Sequence, residues 1–169
     1  MNARRLLLLL NFAIFEVLIF ASPGLAEDIA GSLQRHRQVI ENLQDDVWSS
    51  QRRLVASTTM ESRTEIAMTQ LIAVDQMLES ALSRLDSLDQ SILFSQMVTD
   101  RQYIPRAKQM VQMNRTFTLE QSRRSVDSLE RMIPRSPDGE TTRLIVVARD
   151  ALRSLIALVE AAPAGGDGR

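Results

Sequence analysis

The chain has 169 residues, with 20 basic and 21 acidic side chains, one histidine and no cysteine. Without cysteine it forms no disulfide and lacks the thiolate ligands of zinc and iron–sulfur sites. Its balanced charge also lacks the basic excess of a nucleic-acid-binding protein. Between residues 27 and 161 only Gly31 and Gly139 occur, so there is no glycine-rich phosphate loop. These exclusions predict a protein that is not an enzyme, carries no cofactor or metal and does not bind nucleic acid.

The first 26 residues have the pattern of a cleaved secretory signal peptide. A basic start precedes an apolar run over residues 6–21, and small residues at Gly24 and Ala26 predict cleavage after Ala26. The alternative is an uncleaved anchor, but the run is shorter than the roughly 20 residues of a spanning helix and contains Glu16. The pattern predicts export to a bacterial periplasm, or secretion, with membrane attachment only where cleavage fails.

The first predicted helix covers residues 28–57. Its seam positions are four and three residues apart, as in helices that pack side by side: Ile29, Leu33, His36, Ile40, Leu43, Val47, Ser50 and Leu54. His36 lies on this seam between Arg35 and Arg37. It is a candidate proton switch, because protonation beside two cations would be unfavourable and would loosen the packing near pH 6. The alternative is an inert histidine at the end of the bundle.

The second predicted helix covers residues 60–98 and carries the longest seam. Its apolar residues keep heptad spacing for about three and a half heptads, which predicts left-handed, coiled-coil-like packing. The seam begins at Ala67 and includes Ala81, and its six larger members are the predicted packing residues: Leu71, Val74, Leu78, Leu85, Leu88 and Ile92. Two capping boxes favour a tight turn at residues 57–61. Because one seam position keeps its phase across that turn, the alternative is an elongated coiled coil with a first helix of about 70 residues.

The third and fourth predicted helices cover residues 105–133 and 137–161. The third loses its apolar stripe at residues 112–118 and resumes it in a new phase at Leu119, so it is predicted to be kinked or restarted near residue 118. A clear turn follows, with Ser136 as the expected N-cap of the fourth helix and Pro137 as its first residue. Residues 163–169 form a predicted flexible tail.

A short motif lies in the third predicted helix. The sequence Phe-Thr-Leu-Glu-Gln at residues 117–121 resembles the Leu-Thr-x-x-Gln signature of small periplasmic helical stress proteins of the Spy/CpxP type. That resemblance implies chaperoning or the sensing of envelope stress. It covers five residues, with Phe117 where the signature has leucine, and the same letters form a helix capping box. We therefore do not assign the chain to that family.

Five large apolar residues are expected near one end of the fold, around the connection between the second and third helices. They form the candidate interaction surface: Phe94, Met97, Met110, Met113 and Phe117. Methionine suits adaptable apolar binding surfaces, and its commoner use as a core filler is the alternative for these positions.

The patterns together predict an all-α protein folded as an antiparallel four-helix bundle over residues 27–162. Its expected function is that of an exported, non-enzymatic interaction module in the bacterial envelope, which binds a protein partner or a second copy of itself through a helix face. The alternative is a ligand-sensing or chaperone-like bundle, with a small molecule held between helices near residues 112–118.

Overall fold

The computed structural model describes residues 29–56 and 62–162, which form four α-helices and one short 3-10 turn. The helices are α1 (Ile29–Ala56), α2 (Ser62–Met97), α3 (Ile104–Met132) and α4 (Gly139–Ala161), and the 3-10 turn is Ile133–Arg135. These bounds lie within two residues of the predicted ones. The predicted signal peptide at residues 1–26, the turn at residues 57–61 and the tail at residues 163–169 lie outside the described residues.

The four helices pack as an antiparallel bundle, as the heptad spacing predicted. α1 lies beside α2 and α4, α3 lies beside the same two helices, and α2 also contacts α4 across the bundle. Gln44 Nε2 of α1 donates a hydrogen bond of 2.8 Å to Asp75 Oδ1 of α2. That contact requires the chain to reverse direction between the two helices. The alternative of one helix of about 70 residues is therefore wrong.

The predicted seam of α2 lies at the centre of the apolar core. Leu71, Val74, Leu78, Leu85 and Leu88 are buried, and Ile92 is partly buried against the same cluster. α4 supplies the opposite side of this core with Leu144, Ile145, Leu152 and Leu155, all fully buried. Each side chain of this size contributes about 1.5–3 kcal/mol when it leaves water completely, so this seam is the main source of the bundle's stability.

α3 runs without interruption through residue 118, so the predicted restart of the helix there is wrong. The Thr118 hydroxyl donates a hydrogen bond of 2.8 Å to the Asn114 carbonyl of its own helix, and the residue is buried. Thr118 is followed by two further buried hydroxyl residues, Ser122 and Ser125, on the inner face of α3. Because small polar residues can turn inward and bond the backbone, the loss of the apolar stripe does not end the helix.

α4 begins two residues later than predicted. Its N-cap is Asp138, whose Oδ1 accepts from the Thr141 N–H and whose Oδ2 accepts from the Thr141 hydroxyl, each at 2.8 Å. Ser136 is therefore not the N-cap, and Pro137 lies before the helix rather than at its first position. The Asp138 carboxylate accepts both hydrogen bonds from Thr141, whereas Ser136 accepts neither of these two bonds.

α2 is much longer than α4, and the difference falls at one end of the bundle. Their 36 and 23 residues correspond to lengths of about 54 and 35 Å. Arg115 Nη2 of α3 donates a hydrogen bond of 2.8 Å to the carbonyl of Glu160, next to the last residue of α4. The end of α2 and the start of α3 thus continue beyond α4. We call residues 91–117 the α2–α3 tip.

Candidate interaction surface

All five residues of the candidate interaction surface lie at the surface of the α2–α3 tip. The exposed fraction is 47% for Phe94, 79% for Met97, 36% for Met110, 49% for Met113 and 45% for Phe117. The three methionines at these positions are therefore not core fillers. Within residues 91–117 only Ser91 and Ala107 are buried, so the tip has almost no core of its own.

The spacing of residues along α3 brings these side chains onto one face. Met110, Met113 and Phe117 are three and four residues apart, and the same spacing continues backwards to Arg106 and Tyr103. Residues at this spacing share one side of an α-helix. Tyr103 and Arg106 were not among the predicted residues, although extension of the same spacing backwards from Met110 reaches both of them.

The start of the exposed stripe of α3 faces the end of α2 across an open groove of about 460 Å³. Phe94 lines the groove from α2, Arg106 and Met110 line it from α3, and the connection contributes Val98, Thr99, Asp100 and Tyr103. Met97, Met113 and Phe117 lie outside this lining. The walls of the groove are thus mainly apolar and aromatic. Grooves of this kind between two helices accept the apolar face of a third helix.

Basic side chains lie in the groove and further along the exposed stripe of α3. Arg106 lines the groove together with Asp100, and the Arg84 guanidinium lies over the Phe117 ring, 5.8 Å from its centroid. Residues 91–117 also contain Arg101, Lys108 and Arg115, against one acidic residue, Asp100. The tip is therefore positively charged, although the whole chain has a formal net charge of −1.

The polar segment at residues 112–118 forms contacts between helices. Asn114 Nδ2 donates a hydrogen bond of 3.1 Å to the Ser87 carbonyl of α2, and Arg115 contacts the Glu160 carbonyl of α4. Thr116 and Thr118 donate to carbonyls one turn earlier in α3. Asn114 and Arg115 hold α3 against its neighbours, and the two threonines bond their own helix. These groups are therefore already engaged at the place where the alternative hypothesis puts a small molecule.

His36, the candidate switch, lies in the buried seam of α1. Burial lowers the pKa of its imidazole to about 4, with a further contribution from the charge of Arg35, while a hydrogen bond with the Ser32 backbone acts in the opposite direction. The folded protein therefore keeps this imidazole neutral at pH 6. A pH effect of His36 acts through the balance between folded and unfolded chain, because the unfolded chain takes up the proton first.

Two properties of the described helices bear on other kinds of site. Within residues 29–56 and 62–162, no three histidine or acidic side chains lie close enough together to hold a metal ion. Over the same residues, no helix has an apolar stretch of the length needed to cross a bilayer.

No protein-family model, curated protein or solved structure matches the chain. The likeness of residues 117–121 to the signature of periplasmic stress proteins therefore stands alone.

Proposed function

We propose that the protein is an exported, non-enzymatic interaction module of the bacterial periplasm, which binds a protein partner through the groove of the α2–α3 tip. The observation that carries this proposal is the concentration of exposed Phe94, Met97, Met110, Met113 and Phe117 on one end of the bundle. Contiguous exposed apolar surface rimmed by polar residues is typical of binding sites.

The residue types of the tip support binding to a protein. Aromatic residues, methionine and arginine are enriched at the centres of protein interfaces, and the groove combines Phe94, Met110, Tyr103 and Arg106. α2 and α3 continue from the tip into the packed bundle, so both walls of the groove belong to helices held in place by the core. A preformed surface loses less conformational entropy on binding than a mobile one.

Export and the absence of catalysis rest on different observations. Export follows from the signal-peptide pattern of residues 1–26, with the mature chain starting at Glu27. A non-enzymatic role is supported by the lining of the groove, in which apolar and aromatic side chains outnumber the polar residues Thr99, Asp100 and Arg106.

A crosslinked pull-down of the tagged protein from cell envelopes tests the proposal. We expect one or two stoichiometric partners for the unmodified chain and their loss in Met110→Glu, which places a charge in the apolar groove. Ile66→Glu is the matched control, because Ile66 is an exposed apolar residue of α2 far from the tip, with an exposed fraction of 47% against 36% for Met110.

The outcome separates the hypotheses. Partners that both variants keep, or that both lose, contradict a binding site at the tip. Many substoichiometric partners, in place of one or two, support the chaperone-like alternative. Sequencing of the N-terminus of the exported protein tests the predicted export and cleavage independently. Any first residue other than Glu27 contradicts the predicted cleavage site.

A further inference from the structure

We propose that the groove of the α2–α3 tip binds a second copy of the chain, which presents its α1–α2 face, so that copies associate head to tail. This inference rests on the proposed function, since it names the partner of the same groove. The α1–α2 face consists of Glu41, Asp45 and Trp48 of α1 together with Ile72, Asp75 and Glu79 of α2.

A direct contact holds the two halves of the α1–α2 face together. Trp48 Nε1 of α1 donates a hydrogen bond of 2.8 Å to Asp75 Oδ1 of α2. On each helix the remaining members follow at three- and four-residue spacing, which keeps them on the same side as this contact. The face is therefore a continuous surface across two antiparallel helices.

The α1–α2 face combines apolar area with unpaired negative charge. Trp48 and Ile72 are 45% and 44% exposed. Glu41, Asp45 and Glu79 are exposed, and none of the three forms an ion pair with another described residue. Carboxylates in this position stay available to a basic surface of another molecule.

The tip and the α1–α2 face are complementary in both respects. The tip offers an apolar groove, lined by Arg106 and Asp100, within a segment whose other charged residues, Arg101, Lys108 and Arg115, are all basic. The face offers Trp48 and Ile72 bordered by carboxylates. Opposite charges around an apolar contact favour one pairing and raise its rate of association. Two tips carry the same charge, so a tip-to-tip dimer places like charges together and is disfavoured.

The two surfaces lie far enough apart to be occupied together. Asp75 and Phe94 are on the same helix, 19 residues apart, which corresponds to about 28 Å. One molecule can thus bind a neighbour at its tip and another at its α1–α2 face. A contact between different surfaces generates rings or open filaments rather than a closed dimer.

Sedimentation velocity of the purified exported chain tests this inference. At low salt, about 0.05 M NaCl, we expect the average mass to rise with concentration beyond that of a dimer, and at about 0.5 M NaCl we expect it to fall towards that of a monomer. Met110→Glu blocks the tip, and the double variant Glu41→Lys/Glu79→Lys reverses the charge of the face. Each is expected to weaken self-association at least about tenfold.

A mixture of the two variants gives the decisive result. Met110→Glu keeps an intact face and the double variant keeps an intact tip, so an equimolar mixture is expected to form one-to-one dimers that grow no further. All three substituted residues are exposed, and circular dichroism checks that both variants fold. A monomeric unmodified chain at every salt concentration overturns head-to-tail association, as do a mixture that stays monomeric and a double variant that still dimerises. Loss of a different envelope partner in Met110→Glu would nevertheless leave the proposed function standing.

Discussion

The apolar core and the α2–α3 tip are built on the same helix with opposite results. In the core, where α1, α3 and α4 all pack against α2, this helix buries Leu71, Val74 and Leu78 completely. At the tip, α4 has ended, and the same helix exposes Phe94 and Met97. Large apolar residues therefore stabilise this fold where three or more helices surround them. Beyond the end of α4, the apolar side chains stay exposed.

The largest expected effect tests this contrast on α2 itself. Leu78→Ala removes a fully buried side chain from the core and should lower the free energy of unfolding by about 2–5 kcal/mol. Met97→Ala removes a side chain that is mostly in water, and its effect should stay within about 0.5 kcal/mol. Urea denaturation of both variants measures the difference. Equal losses would mean that the tip is as tightly packed as the core.

The part of the fold that follows from spacing could be predicted from the sequence. The seam of α2 indicated the buried residues because heptad spacing and packing along a neighbouring helix are one geometric fact. The inner face of α3 was only partly predicted in this way. Its stripe from Leu119 onwards included Ser122, Val126 and Leu129, which are buried, whereas Thr118, whose hydroxyl bonds the Asn114 carbonyl, and Ser125 are buried without being apolar. Apolar periodicity does not indicate a buried helix face that is made of small polar residues.

The groove was only partly predictable for a related reason. Phe94, Met97 and Met110 were predicted because they are large apolar residues near the connection between α2 and α3. Arg106 and Tyr103 were not predicted, and they line the groove because of their position at the start of α3. Which apolar stripe is covered depends on where α4 ends beside Arg115, and that is a property of the assembled bundle. The residues of α2 and α3 alone do not contain this information.

The second prediction concerns His36, which is buried in the part of the core nearest the tip. Its folded-state pKa of about 4 lies below the ordinary value of 6.5, so its contribution to stability is complete above pH 6.5 and is lost as pH falls towards 4. The unmodified chain should therefore lose about 2 kcal/mol more than His36→Leu between pH 7.5 and pH 5. Denaturant unfolding of both proteins at the two pH values measures this difference. An identical pH dependence in both would end the hypothesis that His36 acts as a switch.

The smallest of the three expected effects concerns α4, the helix that packs over the core but ends before the tip. Asp138 accepts two hydrogen bonds from Thr141 at the start of α4, so Asp138→Ala should lower the free energy of unfolding by about 1 kcal/mol. Asp100 is the matched residue at the tip, where its carboxylate accepts from the Gln102 N–H at 3.1 Å outside any helix that covers the core. Asp100→Ala should change stability by less than about 0.5 kcal/mol.

Hydrogen exchange should also show faster exchange in the first turn of α4 for Asp138→Ala, with the tip unchanged. Faster exchange at the tip in that variant would show that the start of α4 also supports the α2–α3 tip, and the division between core and tip would then be wrong.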